Sequence, residues 1–199
     1  RSIKLSDLEA LIKPEREDEQ STTEQLLDIA KEQCEFFHDK DGETSASFIK
    51  GNHRECHRLQ SKSFKEGLAN ELYKAQDTAP ADNIINATIN ALIGQAKFDG
   101  DEKPVYMRVA KHDGEYWLDL CNDEWQAVKI TSTGWQVINT PDVLFTRGDN
   151  MRALPTPTEG GDINLLWPLV NIPKHDHLKI IAWLIECLRP DTPDPVLEM

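Results

Sequence analysis

At 199 residues, with 39% apolar and 29% charged residues and five tryptophans, the chain has the composition of a globular protein with room for one generous domain or two small ones. Its net charge of −13 argues against a surface that grips nucleic-acid phosphate throughout, and no apolar run is long enough to span a bilayer, so no membrane partner is expected. No signal peptide is visible, and four cysteines without paired short spacing (Cys34, Cys56, Cys121, Cys187) read as reduced thiols of a cytoplasmic protein.

Residues 1–20 are a polar lead-in, expected to be flexible. Pro14-Glu-Arg-Glu-Asp-Glu-Gln20 is too charged to build a core, and Leu5, Leu8, Leu11 and Ile12 suffice only for a short amphipathic turn. Ser21-Thr-Thr-Glu24 is a capping box ahead of Leu26, Leu27, Ile29, Ala30, Cys34, Phe36 and Phe37, which predicts a helix over 21–38. Asp39-Lys-Asp-Gly42 breaks it with turn chemistry; a calcium loop would need a third oxygen ligand before the glycine and a distal glutamate, and it has neither.

A hairpin is expected over 44–59, turning at Lys50-Gly-Asn52. Cys34, His38, His53, Cys56 and His57 are the metal-ligating types nearby. Strand alternation puts His53, Glu55 and His57 on one face and Cys56 on the other, so no metal site is assigned. Helices follow over 61–77, with Phe64, Leu68 and Leu72 in one stripe, and over 81–97, capped by Asp82 and carrying Ile84, Ile85, Thr88, Ile89, Leu92 and Ile93. A helix-turn-helix would need basic residues on its second helix, and none occurs from Asp82 to Ala96, so a helical pair packed on a sheet is the better reading.

Charge is unevenly spread. Asp7 to Asp41 holds twelve acidic residues against four basic ones, whereas from Lys50 to Lys74 six cations (Lys50, Arg54, Arg58, Lys62, Lys65, Lys74) face three carboxylates. Those six are the candidate nucleic-acid contacts.

From Lys103 the hydrophobic period changes to two. Val105, Met107 and Val109, then Tyr116, Leu118 and Leu120, then Trp125 to Ile130, Trp135 to Ile138 and Val143 to Phe145 predict an antiparallel meander of about five strands over 103–147. Trp117, Trp125 and Trp135 could stack bases, but the neighbouring Glu115, Asp119, Asp123 and Glu124 repel phosphate, and tryptophans in a meander are usually core. Arg147-Gly-Asp149 reads as a plain loop. Asp119, Glu124 and Lys129 can be imagined as a metal-nuclease set, as can many other triples in so acidic a chain. No nucleophile elbow, phosphate loop or His-Glu-x-x-His occurs, so no catalytic residue and no cofactor is assigned.

Residues 151–162, with Pro155, Pro157, Gly160 and Gly161, are a linker that divides an α+β accessory domain (21–150) from a helical segment at 163–199. In that segment Leu178, Ile181, Ile185 and Leu188 make one helical stripe and Ile180, Leu184 and Cys187 the next; Asp176 caps the start and Pro190 stops it. Pro195-Val-Leu-Glu-Met199 looks like the first strand of a following domain.

Ile180-Ile-Ala-Trp-Leu-Ile185, Leu188-Arg-Pro190 and Pro193-Asp-Pro-Val-Leu197 resemble the segment just upstream of the phosphate-binding loop in helicase-like, primase-associated P-loop ATPases of prophages and other integrated elements. Phe98-Asp-Gly100, Val105 to Ala110, His112-Asp-Gly114, Tyr116 to Leu120, Trp125 to Val128 and Gly134-Trp135 are similar to the same family's pre-ATPase region, so the likeness runs from about Leu26 to Met199. It implies a non-catalytic α+β module, helices packed on an antiparallel meander with a helical collar, serving a motor that acts in DNA replication or remodelling for a mobile genetic element. ATP and magnesium would belong to that following domain. A protein partner or self-association stays open, and the alternative is a nucleic-acid-binding module using residues 50–74.

Overall fold

The computed structural model describes residues 21–77 and 79–192. The lead-in at 1–20 and the expected strand at Pro195–Met199 lie outside them. Helix α1 (Thr22–Gln33) begins as its capping box dictates: the Ser21 N–H donates to Glu24 Oε2 at 2.8 Å and the Glu24 N–H to Ser21 Oγ at 3.3 Å.

The helix expected over 21–38 stops at Gln33. Cys34 is extended, and Glu35–His38 is strand β1, paired antiparallel with β2 (Thr44–Lys50). Adjacent Phe36 and Phe37 satisfy a helical stripe and a strand with two covered faces equally well, and tertiary pairing chooses the strand. The turn at 39–42 is therefore a hairpin connection, in which Asp39 Oδ1 accepts from the Asp41 and Glu43 N–H groups at 3.0 and 2.9 Å. β3 (His53–Arg58) completes an antiparallel run with β2.

Helices α2 (Lys62–Gln76) and α3 (Asp82–Phe98) cover one face of this sheet. α2 starts at an Ser61 cap that accepts from the Phe64 N–H at 3.2 Å. α3 has Ala81, not Asp82, at its cap position, with no side-chain cap bond. Leu26 and Ala30, Phe64, Leu68 and Leu72, and Ile85, Ile89, Leu92 and Ala96 pack with Ala46 and Leu59 into the main core. The chain then turns sharply at Gly100, where a Cβ would lie 2.5 Å from the Ala96 carbonyl oxygen and 2.8 Å from that of Phe36. Only glycine lets α3 hand over so tightly to β4 (Asp101–Glu102), which lies parallel to β1 and completes the order β3-β2-β1-β4.

The second half is the antiparallel meander β6 (Val109–His112), β7 (Glu115–Asp119), β8 (Ala127–Thr131), β9 (Gly134–Ile138), in that order. The run expected from Val105 to Val109 is broken at Arg108, which has a left-handed φ of 64°. β5 (Val105–Tyr106) instead pairs in parallel with β10 (Leu144–Phe145), as a two-stranded unit of its own. The strand expected from Trp125 starts only at Ala127, because Trp125 is itself left-handed, φ 54°. Ala110, Trp117, Ala127, Val143 and Phe145 form this half's core. The fold is α+β, and the helices lie on the first sheet while the meander builds a smaller core with the β5–β10 pair.

After β10 the chain runs without regular structure to a 3₁₀ turn at Ile163–Leu169, a second at Lys174–Asp176, and helix α4 (His177–Glu186). Asp176 precedes α4 without capping it; its carboxylate pairs with Lys179 at 2.7 Å. No helix among the described residues is long and apolar enough to cross a membrane.

Candidate functional site

The six cations of the basic stretch do not form one surface. Lys50 sits opposite His53 and Arg54 opposite Ile49, so the two point to opposite faces of the sheet, and Arg58 shares the face of Arg54. On α2, Lys74 lies half a turn away from Lys65. Five of the six also hold a carboxylate: Lys50 pairs with Glu55 (3.0 Å), Arg54 with Glu35 (3.8 Å), Arg58 with Asp39 (2.8 Å), Lys62 with Glu66 (3.6 Å) and Lys74 with Glu71 (2.7 Å). Lys65 reaches Asn86 Oδ1 at 3.4 Å.

What the stretch does assemble is a polar cluster on the helix-covered face of β3. Glu55, 7% exposed, accepts from Lys50, from His53 Nε2 at 3.2 Å and from His57 Nε2 at 2.8 Å. Burial pushes its carboxyl upward, but the bonds from His57, Lys50 and His53 outweigh it and hold the group at about 2. The other ring nitrogen of His57, Nδ1, lies 3.0 Å from the Ser63 hydroxyl. A groove of about 540 Å³ opens beside this cluster, and Lys50, His57, Ser63, Phe64 and Lys74 are among the residues that line it.

The alternation anticipated for β3 places the metal-ligand types apart. Cys56 is buried on the opposite face beside Arg54, Trp125 and Val143, and His38 Nδ1 is 3.0 Å from the Ala96 carbonyl oxygen. No group of three or more His, Cys, Asp or Glu side chains among the described residues is placed to hold a metal ion. Burial raises the thiols of Cys34 to about 11 and of Cys56 to about 12, which keeps both protonated and poorly nucleophilic. Both carboxylate oxygens of Asp39 are engaged, by the turn amides and by Arg58; burial raises this group, the Arg58 and backbone bonds more than reverse that, and its net shift is downward.

A second network joins the two halves. Asp119, 1% exposed, accepts from Arg147 Nη2 (2.7 Å) and Nε (3.0 Å) and from the Cys121 N–H (3.0 Å), while Arg147 Nη1 donates to the Asn122 carbonyl at 2.6 Å. The guanidinium lies 3.9 Å over the Trp125 ring, Trp125 meets His57 edge-on at 5.4 Å, and His57 stacks on Phe48 at 5.6 Å. Sequence reasoning missed Arg147, which it left in a loop. No local signal could have found it, because its partner Asp119 lies 28 residues away and on another element.

The three tryptophans do not make a platform. Trp117 is 2% exposed in the core and Trp125 is held by Arg147 and His57. Trp135 is 41% exposed, on the other face of the meander from Trp117. The imagined nuclease triple is likewise dispersed, since Asp119 is committed to Arg147 and Lys129 to Glu115 at 2.6 Å.

The C-terminal helical segment presents several large apolar side chains to solvent. Leu165, Leu169, Leu178 and Ile185 are exposed, and in α4 only Ile180 is buried; Trp167 stacks on His177 at 3.7 Å to tie the 3₁₀ turn to the helix. Comparison with family models, with curated proteins and with solved structures returns no match.

Proposed function

We propose that this chain is an accessory interaction module that acts through protein contacts, and that the protein it serves is a P-loop motor ATPase of a mobile genetic element, working on nucleic acid in the cytoplasm. The observation that carries the reading is the concentration of exposed apolar side chains within residues 163–186, where Leu165, Leu169, Leu178 and Ile185 all face solvent. The resemblance of Ile180–Ile185 and Leu188–Pro190 to a pre-ATPase collar supplies the occupant, the motor domain itself. The net charge of −13 suits a protein contact better than a phosphate backbone, and the pairing of five of the six candidate cations with carboxylates weakens the nucleic-acid alternative.

Hydrogen exchange of residues 163–186 tests this, measured in this chain and in the natural polypeptide that carries it. Docking on a motor domain slows the α4 amides in the longer polypeptide, and Leu169→Glu with Leu178→Glu restores their fast exchange. Equal rates in both settings overturn the assignment. Fluorescence anisotropy of labelled single- and double-stranded DNA tests the alternative in parallel. The expected result is a flat titration at low salt; salt-sensitive binding abolished by charge reversal at Arg54, Arg58, Lys62 and Lys65 would replace our reading with that one.

A further inference from the structure

Four strands end the two four-stranded sheets, and three of them carry charge. β3 holds Arg54, Glu55 and Arg58, β4 is Asp101–Glu102, and β6 holds Lys111. Charge of this kind keeps an edge strand from recruiting another chain. The fourth edge, β9, is Gly-Trp-Gln-Val-Ile, and it lies within twelve consecutive residues, Ile130 to Pro141, that carry no charge at all.

Which of its backbone groups are free follows from hydrogen-bond parity. The Leu120 N–H donates to the Gln126 carbonyl at 3.0 Å, just beyond the last pair of the β7–β8 register. Antiparallel bonds alternate, so Leu118–Val128 and Tyr116–Ile130 are the bonded pairs of that ladder. β8 then turns Ala127, Lys129 and Thr131 toward β9, where they face Ile138, Gln136 and Gly134. The N–H and C=O groups of Trp135 and Val137 point away from the sheet, and neither residue has a backbone partner on that side among the described residues.

We propose that β9 pairs with β9 of a second copy of this chain, antiparallel about a two-fold axis at Gln136, so that two four-stranded meanders become one continuous sheet. In that register Trp135 faces Val137 of the second copy and Val137 faces its Trp135. All four residues are outward-bonding, which gives four new backbone hydrogen bonds. Each exposed Trp135 ring packs across a β-branched Val137, a favourable cross-strand pair. The electrostatics select the same place. Two copies each at −13 repel over most of their surface, and an uncharged edge is where that cost is least.

Sedimentation equilibrium across protein concentration and salt tests the pairing. The expected result is a monomer–dimer equilibrium that tightens as salt rises, because screening relieves the repulsion. Val137→Pro removes an N–H that points outward and keeps every bond to β8, so the monomer stays folded while dimerisation weakens by about tenfold or more. Trp135→Lys places a charge on the edge and weakens it comparably without touching the backbone, which secures the test if the proline variant proves unstable by circular dichroism. Leu178→Glu, on the apolar surface of α4, leaves the dimer unchanged and so separates this contact from the proposed motor docking. Amide exchange at Trp135 and Val137 slows as protein concentration rises. A chain that stays monomeric at every concentration and salt, or a dimer indifferent to both β9 variants, overturns the proposal.

Discussion

Replacing Asp119 with alanine strips a buried arginine of its counter-charge. Asp119 is 1% exposed and the Arg147 side chain 13%, and two guanidinium bonds and one backbone bond converge on that carboxylate. Without it Arg147 keeps only the Asn122 carbonyl and the face of Trp125, and the Cys121 N–H loses its acceptor. Removing one partner of a buried ion pair costs about 3–5 kcal/mol, a large part of a domain's total stability. At roughly 2–4 °C per kcal/mol for a chain of this size, Tm falls by about 6–20 °C. Urea unfolding followed by tryptophan fluorescence gives the free energy directly, with Trp125 as a reporter inside the network. The double variant Asp119→Leu with Arg147→Met removes both charges and fills the space, and it recovers most of the loss, because a buried pair replaced by apolar groups is often near neutral. A loss below about 1 kcal/mol for Asp119→Ala, or a double variant no better than the single one, would refute the reasoning.

Two further predictions concern the first sheet. Glu55 binds its proton at about 2 in the folded chain against an ordinary 4.5, so its contribution is complete above about pH 4.5 and is lost as pH falls toward 2; the full effect is roughly 3 kcal/mol. Glu55→Gln lowers stability at neutral pH and flattens that acid limb, and an acid limb of unchanged slope in urea titrations would dismiss Glu55 as its source. Gly100→Ala drives a Cβ into the Ala96 and Phe36 carbonyl oxygens at 2.5 and 2.8 Å, so the end of α3 or β1 must move, at a cost of about 1–3 kcal/mol. An unchanged Tm would show that the turn accommodates a methyl group.

Much of the local structure was legible because its causes are local. The Ser21–Glu24 capping box, the Ser61 cap, the stripe of Phe64, Leu68 and Leu72, and the opposite faces of Glu55 and Cys56 on β3 each depend on residues within a few positions of one another. The same reasoning failed where two periods fit one segment. Cys34 to His38 carries two adjacent phenylalanines, and the pairing of Phe37 with Ser45 and Asp101 settled it as a strand. It failed again at Arg108 and Trp125, whose left-handed backbones break otherwise regular alternation, since nothing in a strand-like run announces a positive φ at a bulky residue.

The candidate site divides in the same way. Composition determined the acidity of the chain, the excess of cations between Lys50 and Lys74 and the uncharged run from Ile130 to Pro141, because charge is additive and needs no coordinates. Only the tertiary structure decided that five of those cations are spent on carboxylates, that Arg147 lies against Asp119 and Trp125, and that the uncharged run contains a sheet edge at which the Trp135 and Val137 amides face out. Pairing across 13, 28 or 64 residues is set by how helices and sheets stack, and stacking is a property of the whole buried surface, which no stretch of sequence carries by itself.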